Sequence, residues 1–226
     1  MTRILCIETA TPVCSAALAE NGNAIATRQE HKPNAHSEKL TPFIHEMLDG
    51  TKPDAVAVSK GPGSYTGLRI GVSVAKGLCY AMDIPLISIG TLESMARGMN
   101  MEYRGEKKEL LFCPMIDARR MEVYCAVYCN NLVPIRETKA EVITKDSFSG
   151  LLSSYRILFF GNGASKCRDT IVHPHALFDE DFQPSAAHMA MAVHHKYEKE
   201  DFEDVAYFEP FYLKDFIAGE PKVKGL

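Results

Sequence analysis

Apolar residues in this chain come first as short alternating runs and then as helical stripes. Residues 3–30 read as three consecutive strands, RILCIET, CSAALAE and AIATRQE, and Asn21-Gly22 between the last two is a strong hairpin signal. A polar loop, HKPNAHS, leads into a helix starting near Ser37, with Leu40, Phe43, Ile44, Met47 and Leu48 on its apolar stripe. Thr41-Pro42 reads as an internal cap and first-turn pair, because proline is tolerated there. The strand Ala55–Ser59 then runs into the densest glycine cluster of the chain, Gly61–Met82 (GPGSYTGLRIGVSVAKGLCYAM). Ile84–Ile89 follows as a short buried strand, and Gly90-Thr91 opens a helix through Met99.

The helix after the glycine loop carries the sharpest pattern. Leu68, Gly71, Val72, Ala75, Leu78, Cys79 and Met82 make one apolar face. Ile70, Ser73, Val74, Gly77 and Ala81 cover most of the other, broken only by Arg69 and Lys76. A helix apolar nearly all round is buried on both sides. Ser73, Gly77 and Ala81 are small residues four apart, spaced to let a second helix approach. Two readings stand: a central core helix, or one with an outer face that meets another protein. Strand, glycine loop and helix in this order also suit a phosphate cradle, but the known templates fail. Thr66 stands where a dinucleotide loop needs its third glycine. Leu68 and Arg69 follow Gly67 where a Walker loop needs Lys and Ser or Thr, and Pro62 and Thr66 flank Ser64 where a nucleophile elbow needs glycines.

Beyond the charged stretch Met101–Glu109 the pattern restarts. Leu110–Ala118, Glu122–Tyr128 and a strand near Val133–Arg136 form a second three-strand meander. A helix over Lys145–Ser154, a strand Arg156–Gly161, a helix over Ala164–Thr170 and another over Ser185–Tyr197 follow. Meander followed by alternating helix and strand, twice over, predicts a duplicated α/β fold with a cleft between the halves. The expected divisions are residues 1–103, residues 104–208, and a tail, 209–226, whose aromatic EPFYLKDF docks back on the fold.

Composition narrows the function. The chain has 226 residues, is 46% hydrophobic and carries a formal net charge of −4, so no global field draws it to RNA or anionic membrane. No apolar run approaches the roughly 20 residues of a membrane helix, and the expected location is the cytoplasm. Seven scattered cysteines without a C-x-x-C pair read as buried thiols. His36 and His45 do not share a helix face and read as solvated or capping residues.

The segments IETAT, HSEKLTPFI (36–44), GPGSYTGLRIGVSVAKGL (61–78), IDARRMEVY (116–124) and PFYLK (210–214) together resemble the bacterial TsaB (YeaZ) family, in order and nearly end to end. The resemblance implies an actin-like ASKHA fold, as in sugar kinases and Hsp70, with two subdomains each on a five-strand sheet. It implies a non-catalytic role in forming N6-threonylcarbamoyladenosine at position 37 of tRNAs reading ANN codons, through binding to the paralogous enzyme TsaD and, in a ternary complex, the ATPase TsaE. Isolated members of the family pair as homodimers, and tRNA contact is expected to be indirect.

Residue by residue, the metal-binding H-x-x-x-H of TsaD falls here on Thr91 and Met95, a weak hydroxyl and a thioether unsuited to a hard metal site. No metal or catalytic residue is therefore expected. The resemblance places the partner interface on Leu40, Phe43, Ile44, Met47, Arg69, Ser73, Val74, Lys76, Gly77 and Ala81. Candidates for nucleotide contact, by analogy with related folds, are Thr9, Thr11, Asp117, Arg119, Gly161 and Gly163, with ATP or ADP held at an interface of the complex. The alternative function is a small-molecule kinase or nucleotide hydrolase using the actin-like cleft. A peptidase comes last, since Ser64 lacks the elbow context.

Overall fold

In a computed structural model, which describes residues 1–32 and 34–214, the two meanders grow into two five-stranded sheets of the same design. The first contains β1 (Arg3–Glu8), β2 (Cys14–Glu20), β3 (Asn23–Glu30), β4 (Ala55–Ser59) and β5 (Leu86–Ile89), ordered β3-β2-β1-β4-β5. The second contains β6 (Leu110–Asp117), β7 (Glu122–Tyr128), β8 (Pro134–Val142), β9 (Arg156–Phe160) and β10 (Ala176–Asp179), ordered β10-β9-β6-β7-β8. In each, the first three strands pair antiparallel and the last two join parallel. This repeated order is that of the actin-like fold.

Strand periodicity distributes the core. Leu5 and Ile7 of β1, with Val56 and Val58 of β4, face α1 (Ala35–Leu48) and α2 (Tyr65–Met82). Their neighbours Ile4, Cys6, Ala55 and Ala57 point through the other side of the sheet. That side is covered by a 3-10 turn, Ala186–Met189, and by α5 (Ala190–Glu198). The helix next in sequence to β5, α3 (Thr91–Glu102), instead packs Leu92, Met95, Ala96 and Met99 on Leu110, Phe112, Ile116 and Phe160 of the second sheet. The chain thus exchanges helices between its halves. Divisions at 103 and 208 mark changes of composition, and the cores are shared across them.

Four expectations change on contact with the structure. The first helix starts at Ala35, and Pro42 lies inside it. Pro42 removes the hydrogen bond that the carbonyl of Glu38 would accept, but both residues are exposed, so that carbonyl faces solvent, while Leu40, Ile44 and Leu48 hold the helix on the sheet. The helix over Lys145–Ser154 shrinks to α4 (Ser149–Leu152), because Phe148 turns left-handed (φ 63°) to put its ring on Phe159, centroids 5.1 Å apart. Ala164–Thr170 keeps only the 3-10 turn Ser165–Cys167. The third strand of the second sheet extends to Val142, and β10 has no counterpart in the pattern because its four residues are all half-buried.

The closest backbone contact in the first half sets α2 against the β1–β2 turn. A Cβ on Gly63 would lie 2.3 Å from the Ala10 carbonyl oxygen, one on Gly67 2.1 Å from that of Thr9, and one on Gly71 2.2 Å from Thr9 Oγ1. None of these distances admits a side chain. Ser64 caps the helix, its hydroxyl accepting from the Gly67 N–H at 3.2 Å, and its own N–H donates to the Ala10 carbonyl at 2.7 Å. Gly71→Ala is therefore expected to destabilise the chain by about 1–3 kcal/mol, the usual cost of overpacking, measured by urea unfolding. An unchanged midpoint would contradict this account of the contact.

Candidate functional site

The outer side of α2 is where the two readings of the pattern separate. Gly67, Leu68, Gly71, Val72, Ala75 and Cys79 are buried toward the sheet. Ser73, Gly77 and Ala81 are exposed, and Val74 is half-buried. Gly77 differs from its loop-side counterparts: a Cβ there would meet nothing within 4 Å. A glycine inside a helix costs about 1 kcal/mol relative to alanine, and no packing among the described residues asks for this one. Beside it, a groove of about 560 Å³ runs between α1 and α2, lined among others by Ile44, His45, Leu48, Leu78, Ala81 and Met82.

The ten residues placed on a partner interface do not all share this surface. Leu40 and Ile44 are 1% and 4% exposed and fill the core between α1 and the sheet, so they support the face from beneath rather than forming it. Phe43 and Met47 are half-buried at its edge. Arg69 and Lys76 are held by the C-terminal segment. The Arg69 guanidinium lies 4.2 Å from the Tyr65 ring centroid and donates to the Tyr212 hydroxyl at 3.3 Å. The Lys76 ammonium donates to the carbonyls of Ala206 and Phe208 at 3.1 and 3.0 Å.

That segment is a strap which the aromatic pattern of the tail foreshadowed. The Glu203 N–H bonds the carbonyl of Leu86, the Phe211 N–H that of Lys60 at 2.7 Å, and Tyr65 and Tyr212 set their rings 5.1 Å apart. Val205 and Phe208 pack on the same core as α2. The expected docking of EPFYLKDF covers residues to 214; Asp215 and Phe216 lie outside the described residues.

The nucleotide candidates split in two groups. Thr9 and Thr11 are 0% and 2% exposed. Thr9 lies under Gly67 and Gly71, and the Thr11 carbonyl meets the His36 ring at 2.9 Å, so helices occupy the space a phosphate would need. Asp117, Arg119, Gly161 and Gly163 do come together. The Asp117 N–H donates to Asn162 Oδ1 at 3.2 Å, and a Cβ on Gly163 would strike the Ile116–Asp117 peptide at 2.8–2.9 Å. The Asp117 carboxylate is already committed, pairing with Lys166 and accepting from the Arg119 N–H at 2.8 Å.

The positions matching a metal motif are likewise spent on packing. Thr91 is buried and its hydroxyl accepts from the Gly61 N–H at 3.1 Å; Met95 is 1% exposed and its methyl abuts Gly161. These residues do not fit a hard metal ion. The described residues hold no group of three or more His, Cys, Asp or Glu arranged for one, and no helix among them is long and apolar enough to cross a membrane.

Comparison with known proteins accords with this architecture. A protein-family model described as "TsaD: tRNA N6-adenosine threonylcarbamoyltransferase" matches residues 23–222. The tRNA threonylcarbamoyladenosine biosynthesis protein TsaB of Bacillus subtilis (strain 168) is 34% identical over 170 residues, 72% of each chain. The chain belongs to the TsaB (YeaZ) family. The protein of the same name from Escherichia coli (strain K12) is 39% identical over 131 residues, 56% of this chain and 54% of that relative, so the match spans about half its length. Among solved structures, "YeaZ from Pseudomonas aeruginosa" is 24% identical with a TM-score of 0.76, covering 94% of this chain and all of that one. A second Pseudomonas aeruginosa structure, of an uncharacterized protein with similarity to peptidase YEAZ, reaches 0.81 at 24% identity over 95% and 100%. At that identity the likeness establishes the fold.

One buried acid was absent from the candidate residues. Glu8, 1% exposed, ends β1 with Oε1 accepting from the Ala10 N–H at 2.6 Å and from the Ser59 hydroxyl at 3.0 Å. Among the described residues its Oε2 and the Thr9 hydroxyl are buried without a partner. Burial pushes the Glu8 carboxyl up from 4.5 to about 7, against hydrogen bonds from the Ala10 backbone, the Ser59 hydroxyl and the Thr9 backbone that favour the anion. The folded chain therefore keeps a proton that the unfolded chain releases, and Glu8 contributes less stability as pH rises from about 4.5 to about 7. The isosteric Glu8→Gln removes that dependence. Its melting temperature should gain on the parent by more at pH 8 than at pH 5; an equal difference at both would contradict the buried-proton account.

Proposed function

We propose that this chain is a non-catalytic subunit that binds and activates TsaD in forming N6-threonylcarbamoyladenosine at position 37 of tRNAs reading ANN codons. The observation that carries this reading is Gly77, a mid-helix glycine with open space where its side chain would be. Among the described residues it is a cost without a return. Against a second helix it allows backbones to approach, and exposed Ser73 and Ala81 one turn on either side extend the same track. The α1–α2 groove beside it offers an apolar recess of the kind found at the centre of stable interfaces.

Membership of a threonylcarbamoyladenosine biosynthesis family, in which curated relatives carry the name TsaB, supports the pathway. Thr91 and Met95, committed to packing, support a subunit that leaves chemistry to its partner. In this reading TsaE joins the ternary complex in the cytoplasm and any ATP or ADP sits at its interfaces. Two copies of the chain pair through the same face when TsaD is absent.

Co-expression with TsaD from the same organism and size exclusion test the assignment. Ala81→Glu, at an exposed position, and Val74→Asp should each weaken co-elution at least about tenfold while Ala81→Glu leaves the melting temperature within a degree or two, as surface changes usually do. Gly77→Ala should stabilise the free chain by about 0.5–1 kcal/mol through helix propensity and still weaken the complex. Full co-elution of the Ala81→Glu and Val74→Asp variants, folded, would remove this face from the interface.

A further inference from the structure

The turn between β6 and β7 departs from local backbone preference in a way that packing does not explain. Arg119 and Arg120 both take left-handed backbone conformations, with φ of 71° and 50°. The same chain closes its β2–β3 hairpin with Asn21 and Gly22, at φ of 47° and 81°, residues suited to that region. Two successive arginines are a strained choice for such a turn, and strain of this kind concentrates at functional positions. Both side chains are exposed, and among the described residues neither has an ion pair.

The turn is also braced from below. The Lys166 ammonium donates to the carbonyls of Arg120 and Glu122, each at 2.7 Å, and pairs with Asp117. Asp117 in turn accepts from the Arg119 N–H at 2.8 Å, and Lys214 pairs with Glu122. The two acids nearest the tip are thus neutralised by lysines that lie beneath or beside it. The arginine charges at the tip stand uncompensated, on a backbone held rigid in advance.

We propose that this turn contacts the phosphate backbone of a folded RNA, with Arg119 and Arg120 as the donors. The inference rests on the tRNA-modification reading above. Two adjacent guanidinium forks suit successive phosphates. A hairpin tip is convex and matches an extended backbone, whereas small ligands occupy concave sites. The engaged Asp117 carboxylate does not stand ready for the divalent cation a nucleotide would bring. On a chain of net charge −4 the contact is local and sensitive to salt.

The test is the double variant Arg119→Asn/Arg120→Gly, which restores the low-strain turn sequence and removes both charges. Binding of a tRNA transcript to the chain co-purified with TsaD is titrated between about 50 and 200 mM salt. The expected result is affinity about tenfold weaker, a slope of log K against log salt reduced by roughly one to two, unchanged co-elution with TsaD and an equal or higher melting temperature. Unchanged affinity and slope with co-elution intact would overturn the phosphate contact and leave the TsaD interface standing. Lost co-elution in a folded variant would overturn it in favour of an acidic protein surface. No co-elution of the parent chain would overturn the interface reading itself, and an RNA contact that depends on it.

Discussion

The first half of this protein depends on one close approach: the N-terminal turns of α2 resting directly on the backbone of Thr9 and Ala10. Gly63, Gly67 and Gly71 make it possible by presenting no side chain at three successive points of contact. The consequences run outward. With the helix lowered onto the turn, Thr9 is sealed from water. Leu68, Val72, Ala75 and Cys79 then register against the sheet, and the opposite side, carrying Ser73, Gly77 and Ala81, is fixed in orientation toward solvent.

Two kinds of glycine on one helix therefore carry different information. Gly67 and Gly71 are explained wholly by what they touch. Among the described residues a Cβ at Gly77 would meet nothing, and the proposed interface accounts for it. The strap of residues 203–214 sharpens the boundary of the open face, because it occupies Arg69 and Lys76 while, among the described residues, the C-terminal turns of α2 and the groove beside α1 stay uncovered. The two halves of the molecule then stand joined by exchanged helices. A ring nitrogen of His188, beside Gly98 of α3, hydrogen-bonds Glu102 at 3.0 Å, so this contact ties α3 to the 3-10 turn that covers the first sheet.

Much of this was legible in the residues because it follows from periodicity. The short apolar runs of β1, β2, β6 and β7 and the stripe of α2 each answer to one local rule, and the doubled meander follows from their order. What was not legible depends on contacts distant in sequence. Pro42 looked like a helix start because its neighbours' anchoring on the sheet is invisible along the chain. Phe148 looked helical because its left-handed turn is imposed by Phe159. Glu8 passed as an ordinary strand terminus, since its hydroxyl partner Ser59 lies 51 residues later, on β4. Leu40 and Ile44 were marked for an interface because the resemblance points to their helix, and apolarity does not distinguish its core side from its surface.

Hydrogen–deuterium exchange on the chain with and without TsaD most directly tests whether the outer face of α2 is the binding surface. The account predicts new protection over residues 73–82 of α2 and the facing end of α1, with the second sheet's exposed edge, β8, unchanged. Protection confined to β8 or elsewhere, with α2 exchanging as in the free chain, would contradict it.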